Sequence, residues 1–288
     1  MLNFCQPAVF ATIALNHQYS EGGILEHITV RYIQQMKERN EKIAVLTAYD
    51  FFTAKFIDSA GVDIILVGDS ANMVVFGHPN TLSISMAVML ELVSAVARGS
   101  KRALVVADMP FGSFQTSESD AISNAIAFLK TGAEAVKFEG GLEFAGLVKR
   151  MVECGIPVMG HIGMLPQSVN LYGGYLLQGE DPKSANYLIE SACALEQAGA
   201  FSIVLEKVSS SLAKEITARL KIPTIGIGSG PHCDGQVLVI NDMLGLFDLF
   251  KPKYVRRYAN LKETIKEAVS NYVADVKSGA FPNEDESF

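Results

Sequence analysis

Eight short apolar segments rich in β-branched residues alternate with longer segments of helical periodicity from residue 43 onward. The eight segments are 43–46, 64–67, 103–107, 135–138, 157–160, 202–205, 224–227 and 237–240. Strands that alternate with helices form parallel sheets, and eight such repeats favour closure into a cylinder. The pattern therefore predicts an α/β protein with a (βα)8 TIM barrel. An open, doubly wound parallel sheet is the alternative.

The domain organisation follows from the same repeats. Amphipathic segments predict helices over 121–130, 184–197, 212–219 and 261–276. Residues 27–288 are expected to form a single barrel domain, because no linker-like stretch separates the repeats. Residues 1–26 are expected to be an N-terminal extension of unknown role. The irregular stretch 163–182, which contains several glycines, is expected to cover the active-site face.

Composition excludes some classes of partner. The chain has 24 basic and 31 acidic residues, a net charge of −7, which argues against binding to nucleic acid or anionic membrane. Its apolar runs are too short to span a membrane. The four cysteines, Cys5, Cys154, Cys193 and Cys233, lie far apart without metal-binding spacing. They are expected to be reduced thiols in a cytoplasmic protein.

Polar side chains follow most of the first six predicted strands, at the point where each strand ends. In a (βα)8 barrel, catalytic groups lie at the carboxyl ends of the strands. One polar residue there is unremarkable, but successive strands that all end in polar residues indicate a shared site. The residues concerned are Asp50, Asp69, Ser70, Asp108, Lys137, Glu139, His161 and Glu206.

Each of these residues also has a purely structural explanation. Asp69 could cap the helix that follows it, and Asp50 fits a hydrogen-bonded turn. Lys137 and Glu139 alternate on one strand and share a face, so they could simply pair with each other. His161 could be a core histidine whose hydrogen bonds are satisfied. Turn or solvated roles are likewise open for Asp108 and Glu206.

The chemistry of this set favours a hard cation bound by oxygen atoms. Mg²⁺ takes only one or two protein carboxylates and keeps positions for water and substrate, whereas Zn²⁺ normally needs more His or Cys ligands. A 2-oxoacid that chelates Mg²⁺ through its keto and carboxylate oxygens would be stabilised as an enolate. A separate Glu could remove the proton beside the carbonyl, and a Lys could hold negative charge. The set therefore predicts carbon–carbon bond chemistry on a keto acid.

Seven short motifs in the sequence together resemble those of one known family. They occur in order from about residue 28 to the end of the chain, and through them the chain resembles the ketopantoate hydroxymethyltransferase family. The motifs are Leu46-Thr-Ala-Tyr-Asp50, Leu66-Val-Gly-Asp-Ser70, Ala107-Asp-Met-Pro-Phe111, Val136-Lys-Phe-Glu-Gly-Gly141, Gly160-His-Ile-Gly-Met-Leu-Pro-Gln-Ser-Val-Asn170, Gly226-Ile-Gly-Ser-Gly230 and Asp234-Gly-Gln-Val-Leu-Val239.

This resemblance implies a (βα)8 barrel that assembles into a homo-oligomer, a decamer, and that uses Mg²⁺. It implies transfer of a hydroxymethyl group from 5,10-methylenetetrahydrofolate to 3-methyl-2-oxobutanoate through an enolate. The products are 2-dehydropantoate and tetrahydrofolate, in the first step of pantothenate biosynthesis. The roles it implies are Mg²⁺ ligands for Asp69, Asp108 and Glu139, substrate contacts for Asp69, Ser70, Asp108, Lys137 and His161, and the catalytic base for Glu206.

Two other functions remain open from the sequence. One is a Mg²⁺-dependent 2-oxoacid lyase of the phosphoenolpyruvate mutase and isocitrate lyase group. That group uses a cysteine-bearing active-site loop, whereas none of the cysteines here ends a predicted strand. The other is a non-catalytic small-ligand sensor on a barrel scaffold, which would bind without turnover.

The glycines of 226–230 do not have the GxGxxG spacing of a dinucleotide site. They are expected to allow close approach to the backbone at the seventh strand, with a cosubstrate as one candidate for the approaching group.

Overall fold

The fold is a closed barrel of eight parallel strands in a computed structural model that describes residues 27–288. The prediction for residues 1–26 lies outside the described residues. Each strand pairs with its neighbours in the chain, and β8 pairs with β1 to close the cylinder. The (βα)8 prediction is therefore confirmed, and the open sheet is wrong. The strands are β1 Ile43–Thr47, β2 Ile64–Val67, β3 Leu104–Asp108, β4 Ala135–Glu139, β5 Val158–Gly163, β6 Ser202–Glu206, β7 Thr224–Ile227 and β8 Gly235–Leu238.

Helices follow or precede the strands around the outside. They are α1 Val30–Glu38, α2 Phe51–Ser59, α3 Ala71–Val74, α4 Met86–Gly99, α5 Glu118–Thr131, α6 Ala145–Glu153, α7 Val169–Tyr172, α8 Pro182–Gln197, α9 Ser210–Arg219, α10 Ile240–Met243 and α11 Leu261–Ser278. The four predicted helices lie within α5, α8, α9 and α11. Among the helices of residues 27–288, none combines the length and the hydropathy needed to cross a membrane.

Local capping residues explain where the long helices begin and end. The Ser117 hydroxyl accepts a hydrogen bond from the Asp120 backbone N–H at the start of α5, and Gly132 ends that helix in the left-handed conformation. Asp181 accepts from the first free backbone N–H groups of α8, where Pro182 occupies the first helical position. These helix boundaries therefore follow from single residues that can be recognised in the sequence.

The last strand begins two residues earlier than predicted, and the expected range 237–240 was wrong. Gly235 pairs with Ile43 and Ile225, and a Cβ at this glycine would lie only 2.6 Å from the Ile43 carbonyl oxygen. The strand therefore starts with a glycine that the apolar pattern misses. At the other end Ile240 starts α10, and its N–H donates to Thr47 Oγ1 at 3.0 Å.

The core has two layers, one on each side of the barrel wall. Ile65 and Val67 of β2 pack among the helices, whereas Ile64 and Leu66 belong to the interior cluster, since alternate residues of a strand face opposite sides. The interior is thus filled by side chains, as in other barrels of this type. Its other members include Val45, Leu104, Val106, Met159, Val204, Ile225 and Val237.

Helix α1 covers the amino end of the barrel. Ile33 and Met36 on α1 are buried and belong to the interior cluster. Lys37 from the last turn of the same helix pairs with Asp234 Oδ2 at 2.9 Å, directly before β8. A site that is open to solvent is therefore left to the carboxyl end of the strands.

Candidate active site

The predicted site residues converge on one cavity at the carboxyl end of the barrel. The cavity volume is about 320 Å³, within the range of small-ligand pockets. Asp50 lies outside this lining and instead caps α2, where its carboxylate accepts from the Thr53 N–H at 2.8 Å. The structure thus separates one turn residue from the site residues, which are Asp69, Ser70, Asp108, Lys137, Glu139, His161 and Glu206.

Asp69 and Asp108 come from neighbouring strands and lie close together. The backbone N–H of Asp69 donates to Asp108 Oδ2 at 3.3 Å, and both residues are buried. Asp69 is not a helix cap, because α3 begins after Ser70 and has no side-chain capping bond. The Ser70 hydroxyl instead lies 2.8 Å from the Tyr49 hydroxyl, which holds it at the cavity wall.

Lys137 pairs across the strands rather than along its own strand. Its Nζ lies 2.7 Å from Asp108 Oδ1, because Lys137 and Asp108 are register partners in β4 and β3. Burial lowers the pKa of this lysine, but the charges of Asp108, Glu139 and Asp69 outweigh burial and raise it above its usual value. Lys137 is therefore a fixed positive charge in the cavity. The expectation that it could pair with Glu139 alone was wrong.

His161 links this lysine to Glu206. The Lys137 ammonium can only donate, so the His161 Nδ1 atom at 3.3 Å must accept, and Nε2 carries the proton. That Nε2 atom lies 3.3 Å from Glu206 Oε2. Burial, together with the charge of Lys137, holds the pKa of His161 well below its usual value, so the ring is neutral. His161 is thus not an ordinary core histidine.

Glu206 ends β6 at the cavity, beside a glycine in the adjacent strand. A Cβ at Gly163 would lie 2.2 Å from the Glu206 carbonyl oxygen, and the φ of +100° at this glycine is one that side chains rarely adopt. Burial raises the pKa of Glu206 to about 7, against the opposing charges of Lys137 and Lys207. A carboxylate with such a pKa is suited to accept a proton near neutral pH.

Gln167 is a site residue that strand-end reasoning missed. Its backbone N–H donates to Glu139 Oε2 at 2.9 Å, and its side-chain amide donates to Asp69 Oδ2 at 2.9 Å. The same amide donates to the Met109 carbonyl at 3.0 Å, and Gln115 donates to its oxygen at 3.2 Å. Gln167 lies on a connection, in a short 3₁₀ turn Pro166–Ser168, and only its place in the motif 160–170 pointed to it.

The carboxylates of Asp69, Asp108 and Glu139, which form the acidic floor of the cavity, repel one another. Burial and the Asp108 charge raise the pKa of Asp69 to about 7, and burial with the Asp69 charge raises the pKa of Glu139 well above its usual value. Within residues 27–288, no three His, Cys, Asp or Glu side chains already form a metal-binding cluster. Mg²⁺ needs only one or two carboxylates, however, and a cation here would relieve this repulsion. The donor set therefore fits Mg²⁺.

An apolar wall faces this acidic floor. Phe247, Phe250, Pro252 and Tyr254, from the segment between α10 and α11, line the cavity. The Tyr254 ring packs on Gly228, where a Cβ would lie 2.8 Å from the ring. The close approach expected at glycines 226–230 is thus made by the protein's own tyrosine. From the segment 163–182, which was expected to cover this face, Pro166 and Tyr175 line the same cavity.

A closed (βα)8 barrel with acids, a buried lysine and a polarised histidine at its carboxyl end defines an enzyme of the barrel class with a small-ligand site. The ketopantoate hydroxymethyltransferase family model matches residues 27–284, and the chain belongs to that family.

Named relatives agree with this assignment. The chain is 55% identical over 265 residues to the 3-methyl-2-oxobutanoate hydroxymethyltransferase of Carboxydothermus hydrogenoformans, which covers 92% of this chain and 96% of the relative. It is 53% identical over 272 residues to the enzyme of the same name from Chlorobaculum tepidum, which covers 93% and 98%.

Solved structures share the fold at low sequence identity. Phosphonopyruvate hydrolase, solved with oxalate and Mg²⁺, matches with a TM-score of 0.59 and 13% identity over 89% of this chain and 92% of that chain. The 2,3-dimethylmalate lyase of the phosphoenolpyruvate mutase and isocitrate lyase superfamily matches with a TM-score of 0.57 and 14% identity over 90% and 91%. These two comparisons support the barrel architecture alone.

Proposed function

We propose that the protein transfers a hydroxymethyl group from 5,10-methylenetetrahydrofolate to 3-methyl-2-oxobutanoate. Water supplies the hydroxyl oxygen, and the products are 2-dehydropantoate and tetrahydrofolate, in the first step of pantothenate biosynthesis. The relatives named 3-methyl-2-oxobutanoate hydroxymethyltransferase support this function. One observation carries this proposal. His161 contacts Lys137 on one side and Glu206 on the other, so that a fixed positive charge and a proton acceptor lie in one cavity.

The acids of the floor are proposed to hold Mg²⁺. Asp69, Asp108 and Glu139 are the proposed ligands, and Gln167 bonds only one oxygen each of Asp69 and Glu139. When bound, Mg²⁺ would supply positive charge that stabilises an enolate of the keto acid.

The keto acid is proposed to bind against Lys137 and Ser70. Lys137 offers its positive charge to the substrate's oxygens, and Ser70 offers a hydroxyl that Tyr49 holds in place. These donors favour the enolate over the neutral ketone because negative charge develops on that oxygen. Asp108 fixes the position of Lys137 through the 2.7 Å ion pair.

Glu206 is proposed to remove the proton from C3 of the keto acid. The C3–H bond breaks and the proton goes to the carboxylate. The enolate carbon then forms a bond to the methylene carbon of the donor as one C–N bond of that carbon breaks, and water displaces the second nitrogen and leaves the hydroxyl group. The C3 proton and one proton of the water end on the two released nitrogens, which gives tetrahydrofolate. His161 is neutral, and its Nε2 atom lies 3.3 Å from Glu206 Oε2, close enough to keep a polar group beside the base. A carboxylate whose pKa is about 7 is deprotonated in a large fraction of molecules at neutral pH, and it binds a proton more strongly than an ordinary carboxylate does.

The two remaining functions have no comparable support. The described cysteines, Cys154, Cys193 and Cys233, are free thiols, and none of them lines the cavity, so a lyase that depends on an active-site cysteine is not favoured. A sensor would bind the keto acid without turnover.

The test is an assay of the wild-type protein with 3-methyl-2-oxobutanoate, Mg²⁺ and 5,10-methylenetetrahydrofolate, with exchange of the C3 proton in deuterated water measured separately. Transfer and exchange support the proposal, and binding without either contradicts it.

We further propose a homo-oligomer, a decamer, located in the cytoplasm. Support for assembly comes from α11, none of whose 18 residues is buried. Ile265, Val269, Tyr272 and Val276 form one apolar stripe on this helix at helical spacing, and each is exposed. A stripe of this kind on a folded protein is typical of a subunit contact. The cytoplasmic location rests on the pattern of cysteines in the sequence.

A further inference from the structure

One carboxylate in the cavity has no part in the acidic floor. Asp242, in the short helix α10 that follows β8, lines the cavity together with Phe247, Phe250 and Tyr254. The structure gives its side chain no hydrogen bond or ion pair within residues 27–288. Asp242 is half-buried, and a carboxylate in such a place is costly unless a donor reaches it.

The described part of the chain, residues 27–288, does not supply that donor. The charge of Arg257 acts on Asp242, but its guanidinium donates to the Phe247 carbonyl at 2.9 Å. Burial raises the pKa of Asp242, and the charge of Arg257 only opposes this effect. A ligand with N–H donors would therefore gain a charge-assisted hydrogen bond at a half-buried position beside apolar rings.

We propose that Asp242 and the aromatic side chains of Phe247, Phe250 and Tyr254 bind the reduced pterin ring of the one-carbon donor. This inference rests on the proposed function. A pterin presents a ring N–H and an exocyclic amino group side by side on one edge, which match the two oxygens of a carboxylate. Its flat ring system packs on aromatic side chains, as such rings do on one another.

The position of Tyr254 connects this wall to the reacting centre. Tyr254 lines the same cavity as Glu206 and Asp242, and the charges of these two carboxylates, together with burial, raise the pKa of its hydroxyl. A pterin held against Asp242 would therefore present its one-carbon unit towards the keto acid at Glu206. The cavity thus has two halves, an acidic one for the keto acid and an aromatic one for the donor.

The test compares wild type with Asp242→Asn on two donors. The donors are 5,10-methylenetetrahydrofolate and its 2-desamino-2-methyl analogue, which lacks the exocyclic amino group. Loss of a charge-assisted bond is expected to raise KM for the natural donor roughly 10- to 100-fold, with KM for the keto acid unchanged. Wild type is expected to prefer the natural donor by a similar factor, whereas Asp242→Asn does not distinguish the two.

The matched control is Asp248→Asn. Asp248 lies in the same segment but is exposed and pairs with Lys262 at 2.6 Å, so this variant is expected to match wild type with both donors. Phe250→Leu gives a second measurement, because Phe250 is 53% exposed and its replacement leaves the fold intact. Its affinity for tetrahydrofolate, followed by equilibrium fluorescence, is expected to fall several-fold.

The outcomes separate this inference from the function it rests on. If wild type transfers the one-carbon unit and Asp242→Asn has an unchanged KM for the donor and still rejects the analogue, the pterin site is wrong and the proposed function stands. If Phe250→Leu also binds tetrahydrofolate as tightly as wild type, the aromatic wall is excluded as well. If wild type neither transfers nor exchanges the C3 proton, the proposed function itself is wrong.

Discussion

The side-chain amide of Gln167 donates to Asp69 Oδ2 across 2.9 Å, and its backbone N–H donates to Glu139 Oε2 at the same distance. One residue of a connecting segment thereby orients two carboxylates that belong to different strands. Each carboxylate keeps one oxygen that Gln167 does not bond. Replacing such a partner of a metal ligand typically lowers the affinity for the ion about 10- to 100-fold.

Gln167→Leu is therefore expected to weaken Mg²⁺ binding about 10- to 100-fold, because Asp69 loses the donor that orients it. Isothermal titration calorimetry with Mg²⁺, in the absence of substrate, measures this effect independently of turnover. The control is Gln178→Leu in the same segment, whose amide bonds only to the Leu176 carbonyl. Equal Mg²⁺ affinity in Gln167→Leu and wild type would exclude a positioning role.

The acidic floor could be predicted from sequence because the ends of parallel strands meet at one edge of a barrel. Asp69, Asp108 and Glu206 each follow an apolar run directly, so their shared location depends only on the strands being found. Gln167 and Asp242 lie after the strands, on a connection and in a short helix. Their positions depend on how those segments pack, which periodicity does not report.

Side-chain partners were harder to predict than positions. The alternation of Lys137 and Glu139 on one strand indicated a common face, and both do line the cavity. The ion pair nevertheless forms between Lys137 and Asp108, because the register places these two residues side by side. Register depends on pairing between strands that are distant in sequence, so the pattern within one strand does not determine it.

Glu206→Gln is expected to lose exchange of the C3 proton by about 10²- to 10⁴-fold, the contribution typical of a general base. Binding of Mg²⁺ and keto acid should persist, because Glu206 lies outside the proposed metal ligands. Exchange into deuterated water, followed by NMR, measures the proton step without the donor. Glu215→Gln, an exposed change on α9, is the control. An exchange rate in Glu206→Gln equal to that of wild type would show that another group is the base.

The exchange rate is expected to rise with pH through a midpoint near 7 and to level off above it, because Glu206 must lose its proton before it can act as a base. The charge of Lys207 lowers the pKa of Glu206, so Lys207→Met should move the midpoint to higher pH. Roughly a two- to fivefold lower rate is expected at pH 6. Lys214→Met, an exposed change on α9, should leave the profile unchanged. A midpoint that stays in place in Lys207→Met contradicts the assignment.

The stability of the metal-free protein is expected to fall as pH rises from about 4 to 7. The folded pKa of Asp69 is about 7, above the unfolded value of about 3.9, so the folded state binds more protons in this interval. Asp69→Asn cannot ionise, so it should not show this decrease in the free energy of unfolding. Its Tm at pH 8 should therefore exceed that of wild type by about 2–4 °C for each kcal/mol of unfolding free energy that the replacement restores. Calorimetry in a chelator at several pH values measures it, with the exposed Asp248→Asn as control. Parallel Tm curves for Asp69→Asn and wild type would contradict the prediction.

The exposed stripe of α11 is expected to hold subunits together, and a charge placed within it should break the assembly. Val269 is 54% exposed in the single chain, so Val269→Glu costs the isolated subunit little but buries an unpaired carboxylate in a contact between subunits. Light scattering after size exclusion should show the wild-type decamer at ten times the subunit mass of 31.1 kDa, and Val269→Glu as smaller species. Ser270→Glu, on the same helix but off the stripe, should assemble like wild type. A monomeric wild type, or a Val269→Glu variant that assembles fully, would show that this helix is not the contact.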